Sequence, residues 1–232
     1  MKTLEMDDMT QLIILAAIAI FVLWRLKGVL GTRTGYERTP GERPGPTPAP
    51  ARRKSGFEVI EGSANADAAI DADIARVADV DGETGESLRR MARAEPGFRP
   101  SEFVDGAKQA YEMILMAFET GDTRSLRPLL SDEVYQSFAA AIRQRETDGL
   151  TVEARFVGVK EARIFSAMFA EEDREADIEV RFVGELVSVV RNAEHQVVEG
   201  DPNEIRRQTD LWTFTRKMGS NDPNWILTAT GG

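Results

Sequence analysis

Apolar positions along this 232-residue chain follow three regimes: an unbroken run, then a helical period, then an alternating one. The run is Leu12-Ile13-Ile14-Leu15-Ala16-Ala17-Ile18-Ala19-Ile20-Phe21-Val22-Leu23-Trp24, 13 residues with no polar side chain. At about 1.5 Å per residue it covers about 20 Å, and from Met9 to Leu26 about 27 Å, against a hydrocarbon core of about 30 Å. Thr10 and Gln11 fall near one interface, Trp24 near the other, and Arg25 and Lys27 can snorkel beyond it. The pattern predicts a slightly short transmembrane anchor over 9–27, preceded by an acidic tail over 1–8. A cleaved signal peptide would want a basic start and a small-x-small site, and a mitochondrial transit peptide would avoid acids. Neither pattern is present, and a core helix would be amphipathic where this run is apolar on every side.

From residue 28 to 56 the chain turns Pro- and Gly-rich, with Pro40, Pro44, Pro46, Pro48 and Pro50 making half of its 10 prolines. That composition predicts an extended, partly polyproline II spacer. Over 57–94 the expectation is an amphipathic helical segment. Phe57 to Glu61 is a brief apolar patch that can add a strand or dock a partner. Ala64 to Val80 carries Ile70, Ile74 and Val77 at helical spacing, Gly82 and Gly85 interrupt, and Leu88 to Ala94 begins another helix.

A folded domain is expected over 95–232. Phe103, Ala107, Ala110, Tyr111, Ile114 and Phe118 share one helical face, with Ser101 as the expected N-cap and Gly121-Asp122 as the stop. Asp122 can cap a short helix running through Leu129-Leu130. Ser131 can cap a third, with Val134, Tyr135, Phe138 and Ile142 as its stripe. After Gly149 the period changes to two: Ile178, Val180, Phe182, Leu186 and Val190 oppose Asp177, Glu179, Arg181 and Glu185, the pattern of a half-buried antiparallel strand. Val152 to Ala170 supplies one or two strands, and Gln208 to Lys217 and Trp225 to Thr228 two more around a turn at Asn221-Asp222-Pro223. Helices followed by strands predict an α+β fold, helices packed on a curved antiparallel sheet that tends to enclose an apolar pocket. Tyr111, Ile114, Phe118, Phe138, Trp212, Phe214 and Trp225 are the candidate pocket-lining residues, with core packing as the plainer alternative. An acyl chain, an apolar peptide or another small ligand would suit such a pocket. Met113 and Met116 suit adaptable packing or recognition.

Charge changes this picture at two points. Against 29 Lys and Arg stand 39 Asp and Glu, a net charge of -10 that argues against nucleic acid as a partner. Its distribution is uneven: residues 25–54 hold eight basic residues against Glu37 and Glu42, so an acidic body follows a basic neck headed by Arg25, Lys27 and Arg33. The positive-inside bias then predicts a single-pass protein with its N-terminus outside and its body in the cytoplasm. The neck would also be drawn to anionic membrane lipid.

Ordered landmarks from Glu95 onward resemble a known family. They are Pro96, Phe98, Phe103, Gly106-Ala107, Ala110-Tyr111, Phe118, Gly121-Asp122, Leu126, Leu129-Leu130-Ser131, Val134-Tyr135, Phe138 and Arg145. Asp210-Leu211-Trp212-Thr213-Phe214-Thr215-Arg216 and Asn224-Trp225-Ile226-Leu227 continue the series. Over Leu88 to Ala229 the chain resembles the mitochondrial inner-membrane import-motor scaffold (Tim44-like) family. The resemblance implies a cystatin-like or nuclear-transport-factor-two-like cone with an apolar cavity. It also implies a scaffold that attaches to lipid and brings a translocase, a chaperone or a ribosome to an energy-coupling membrane. The N-terminal span in place of an import signal fits a bacterial inner-membrane member. The family's chaperone-recruiting N-terminal half has no clear counterpart in residues 1–56, so the resemblance of the domain leaves chaperone recruitment open.

Catalytic chemistry finds little support. There is no cysteine and one histidine, His195, in a polar hairpin connection, so no triad or zinc site can be assembled from those residues. Neither phosphate-loop spacing occurs. Glu171-Glu172-Asp173 is a charged run at an expected turn. Asp210 shares a strand face with Trp212 and Phe214, as a pocket carboxylate or as the partner of Arg216 or Arg181. The expectation is a protein that is not an enzyme and takes no cofactor or metal.

Overall fold

The computed structural model describes residues 61–231, and the predicted anchor, basic neck and spacer lie outside them. Among the described residues, no helix is long and apolar enough to cross a membrane. Five helices precede five strands, the α+β order the periods predict: α1 (Glu61–Val77), α2 (Glu83–Ala94), α3 (Pro100–Thr120), α4 (Thr123–Leu126), α5 (Asp132–Thr147), β1 (Thr151–Ala170), β2 (Glu175–Arg191), β3 (Val197–Gly200), β4 (Arg206–Lys217) and β5 (Ile226–Gly231).

The strands form one sheet in the order β1-β2-β4-β5, with β3 pairing the far end of β2, and every pairing is antiparallel. β1 is a single strand of 20 residues where sequence allowed one or two. Its register shifts three times, at Phe156/Gly158, Val159/Glu161 and Ile164/Ser166. Each bulge adds a residue on one side of the ladder and bends the strand, so a long hairpin can curl around the helices. Ile178, Val180 and Phe182 on β2 face those helices fully buried, as their alternation requires.

Local chemistry sets the helix ends. Gly121 adopts the left-handed conformation (φ 76°) that stops α3. Asp122 and Ser131 cap α4 and α5 through backbone N–H groups, as expected. α4 stops at Leu126, short of the expected Leu130, because Leu129 and Ser131 hydrogen-bond the backbone of Leu227 on β5. Ser101 is not the N-cap of α3. Pro100 already occupies the first turn, and the Ser101 N–H and hydroxyl both go to Asp73 on α1. Gly85 lies within α2, not between helices: a Cβ there would meet the Val80 carbonyl oxygen at 1.9 Å, so α2 can press on the α1–α2 connection only at a glycine.

A division at Glu95 does not separate two bodies. Residues 62–232 are one compact unit, and Ile70, Ile74, Leu88 and Met91 from the first two helices belong to the same buried cluster as Tyr111 and Phe182. Arg89 ties α2 to α1 through Asp71 (2.6 Å) and the Val80 carbonyl (3.1 Å). Burial therefore predicts that Ile74→Ala destabilises the whole unit by about 2–5 kcal/mol, the usual range for truncating a fully buried aliphatic side chain. Urea unfolding should show one transition moved to lower denaturant. An unchanged midpoint would mean that α1 is not part of the cooperative core.

Candidate functional site

The interior between α3 and the sheet is built from aromatic residues on a helix and alternate positions of strands. Tyr111, on the buried face of α3, stacks on Phe182 of β2 (ring centroids 4.5 Å apart, planes at 17°) and tilts against Trp212 of β4 at 4.7 Å. Phe182 and Trp212 each meet Phe214, which meets Phe103 near the start of α3. Phe103 in turn packs on Trp225 at 4.7 Å, and Phe98 closes the chain of contacts against both. Each such pair adds about 0.5–1.5 kcal/mol to the area it buries.

Of the residues expected to line a cavity, the structure brings Tyr111, Trp212, Phe214 and Trp225 into this column. Ile114 is fully buried in the same core. Phe118 and Phe138 lie apart, paired with each other at 4.8 Å between α3 and α5, with the Arg145 guanidinium over the Phe118 ring. These side chains fill the space that an apolar pocket would need, because the stacked rings already touch. Two surface hollows of the described residues lie elsewhere, both beside Arg90 and Arg93 of α2, the larger also lined by Phe169, Glu171 and Arg174. Sequence reasoning placed Phe103 and Phe182 on buried faces but did not join them to the column. Their periodicity was visible; the contact between elements was not.

One polar group enters the column. The Tyr111 hydroxyl donates to Asp210 Oδ2 at 2.6 Å, and Gln208 Nε2 donates to the same oxygen at 2.7 Å and to the tyrosine oxygen at 3.1 Å. Burial, and then the adjoining Asp210 carboxylate, push the Tyr111 phenol well above the ordinary tyrosine range, with Gln208 opposing them weakly. The hydroxyl stays protonated and serves as a donor. Gly184 makes room for it: a Cβ there would lie 2.6 Å from the tyrosine oxygen. Asp210 thus neither pairs with Arg216 nor with Arg181, which goes to Glu161 at 3.0 Å. It accepts a phenol.

Arg216 anchors the other end of the column. It is buried, donates to Glu95 Oε1 at 2.6 Å and lies 5.3 Å from the centre of the Trp225 ring. The second Glu95 oxygen accepts from the Gly219 N–H at 2.6 Å. Glu95 thereby locks the α2–α3 junction to the end of β4. Burial alone would raise the Glu95 carboxyl, but the hydrogen bonds from Arg216 and Gly219 and the charges of Arg216 and Arg174 outweigh it and hold the carboxyl below its usual value of 4.5.

His195 stands exposed at φ 61° in the turn between β2 and β3, and the stretch read only as a connection contains the four-residue strand β3. All four β3 residues are exposed, so no alternation announced them. Among the described residues, no three His, Cys, Asp or Glu side chains gather to hold a metal ion.

Two outcomes follow from the polar contacts. A carboxyl depressed on folding adds stability above its unfolded value, and that stability is lost as pH falls through the folded value. Glu95→Gln should therefore lower the urea midpoint at pH 7 and flatten its decline between pH 5 and 3; an identical pH profile would show that the contact is energetically idle. Tyr111→Phe removes one of two donors to Asp210 and should cost about 1–3 kcal/mol by the same measurement, whereas a neutral effect would mean that water replaces the hydroxyl.

Human mitochondrial import inner membrane translocase subunit TIM44 is 26% identical over 142 residues, 61% of this chain and 31% of that protein. The rat subunit is 25% identical over the same shares. This chain thus spans about a third of the length of these curated relatives. Among solved structures, the intermembrane space region of chloroplast protein ARC6 is similar at a TM-score of 0.39 and 12% identity, covering 55% of this chain and 94% of that one. An NTF2-like protein of unknown function in nutrient uptake from Rhodospirillum rubrum gives 0.29 and 20%, covering 53% and 92%. The Tim44-like domain matches residues 84–232, which is more than half of the sequence and takes in α2 through β5, and on that ground the chain belongs to the Tim44-like family.

Proposed function

We propose that this protein is a membrane-anchored adaptor that holds protein partners of a translocation machinery at the cytoplasmic face of a bacterial inner membrane. The observation that carries the proposal is the family match over residues 84–232, which takes in the aromatic column and both of its polar anchors. Anchoring is supported by the apolar run within 9–27. The basic residues after it, Arg25, Lys27 and Arg33, support an N-out, C-in orientation and an attraction to anionic lipid. The partner is a translocase subunit, a chaperone or a ribosome.

A binding role, not an enzymatic one, fits the chemistry of the body. Asp210, half-buried beside the aromatic interior, is spent on Tyr111 and Gln208. His195 has no second histidine or thiol to work with. Among the described residues the aromatic interior is packed with protein side chains, which supports a partner bound at the surface of the domain.

Affinity capture of the full-length protein from detergent-solubilised membranes tests the adaptor role, alongside a chain lacking residues 1–56. The full-length protein should stay with membranes through alkaline carbonate washing and bring down defined protein partners. The shortened chain should leave the membrane fraction yet keep its partners when mixed with a membrane extract. Recovery of lipid alone by both forms would sink the adaptor and leave the anchor standing.

A further inference from the structure

The outer face of the sheet, opposite the helices, differs in charge from the rest of the body. Residues 61–232 hold 20 Lys and Arg against 33 Asp and Glu, a net of -13. Strand register and the Lys160–Glu185 contact place seven of those cations and six of those acids on the outer face. This face is therefore close to neutral, and the excess of acid lies elsewhere.

The two signs separate along the strands. At the end next to the β1–β2 turn stand Glu175, Asp177 and Glu179 of β2, with Lys217, opposite Glu175, as the one cation among the facing strand positions. At the far end Arg155, Lys160, Arg191 and Arg207 outnumber Glu153 and Glu185. Between these ends Arg163 lies directly across the ladder from Arg181, and the acid beside them, Glu161, goes to Arg181 at 3.0 Å. Like charges in that position repel unless a further acid reaches them. Acids in the connections lie beyond both ends, Glu171, Glu172 and Asp173 at one and Glu194, Asp201 and Glu204 at the other, so the difference between the ends remains. Glu171 is paired with Arg90 at 3.8 Å. Among the described residues, Arg155, Arg163, Glu175, Asp177 and Glu179 form no ion pair. One face thus carries unpaired acids at one end and unpaired guanidinium groups toward the other.

We propose that a second copy of this chain packs on this face, sheet against sheet, about a two-fold axis lying in the interface and running across the strands. That axis reverses the strands, so the acid end of each copy lies over the Arg155 and Arg163 side of the other. Charge complementarity selects this occupant. A partner of one sign meets one end favourably and the other unfavourably, whereas a copy turned end for end meets both favourably. A copy stacked without the turn would set acid on acid. Leu211, Thr213 and Thr215 of β4 leave an uncharged strip on the same face, and Met168 is 70% exposed beside it, so two sheets can approach to the usual spacing of about 10 Å. The assignment does not depend on the adaptor reading.

The test uses the full-length protein in detergent, followed by sedimentation velocity under density matching so that protein mass alone is read. A concentration-dependent passage from one chain to two is expected, weakened by added salt. Reversing the acid end with Glu175→Lys/Glu179→Lys should raise the dissociation constant by about tenfold or more, as should Arg155→Glu/Arg163→Glu. Mixing these two variants should restore association, because each then offers the other a matched pair of ends, and all four substitutions in one chain should restore it as well. The pair Glu112→Lys/Glu146→Lys, at exposed positions of α3 and α5, makes the same change of charge and should leave the dimer intact. Circular dichroism and the urea midpoint confirm that each variant is folded. A single chain at every concentration overturns the assignment. So does a dimer that neither reversal weakens, the result that pairing through the N-terminal segment would give, and so does a mixture no tighter than its components.

Discussion

Everything in the domain is arranged around the meeting of one helix face with the concave side of a sheet. The stripe of α3 that carries Phe103, Ala107, Tyr111 and Ile114 lies against Phe182 of β2 and Trp212 and Phe214 of β4. Rings packed at 4.5–4.7 Å tolerate little displacement. The sheet must therefore curl to the shape of the helix, and the bulges in β1 supply the bend. Because the Tyr111 ring is buried, its hydroxyl needs an acceptor, and Asp210 and Gln208 occupy the strand positions that provide one and orient it. Gly184 is the counterpart of that choice, since no other residue clears the tyrosine oxygen.

The same column explains why the segment before α3 belongs to the fold. α1 and α2 add Ile74, Leu88 and Met91 to the cluster, and Glu95 follows α2 directly to reach Arg216 and Gly219 at the far end of β4. An ion pair of this kind contributes modestly, yet a buried guanidinium left without its acid would be costly. Glu95 therefore joins the helical and sheet parts at Arg216, the one buried cation among the described residues. Among the described residues the interior between α3 and the sheet is filled by protein side chains. At the surface of the domain, Arg90 and Arg93 line the hollows beside α2 together with Glu86 and Glu171.

The α+β class, the α3 stripe, the caps at Asp122 and Ser131 and the alternation of β2 and β4 were all legible as periods and end signals, since a helix or strand with one buried face writes that face into its own residues. Sequence also carried the apolar run, the basic neck and the acidic body, which are properties of composition. Tertiary structure alone decided what those faces meet. Whether a ring lines a hollow or fills it depends on the distance between elements far apart in the chain, so Tyr111 and Trp212 read equally well as pocket or core until they were placed 4.7 Å apart. The partner of Asp210 is 99 residues away and that of Glu95 is 121 away, separations at which no local spacing rule operates. For the same reason the exposure of Phe165 and Met168 gave no sign in sequence: a bulge turned the first to solvent, and only the ladder with β2 set the second opposite Asp177.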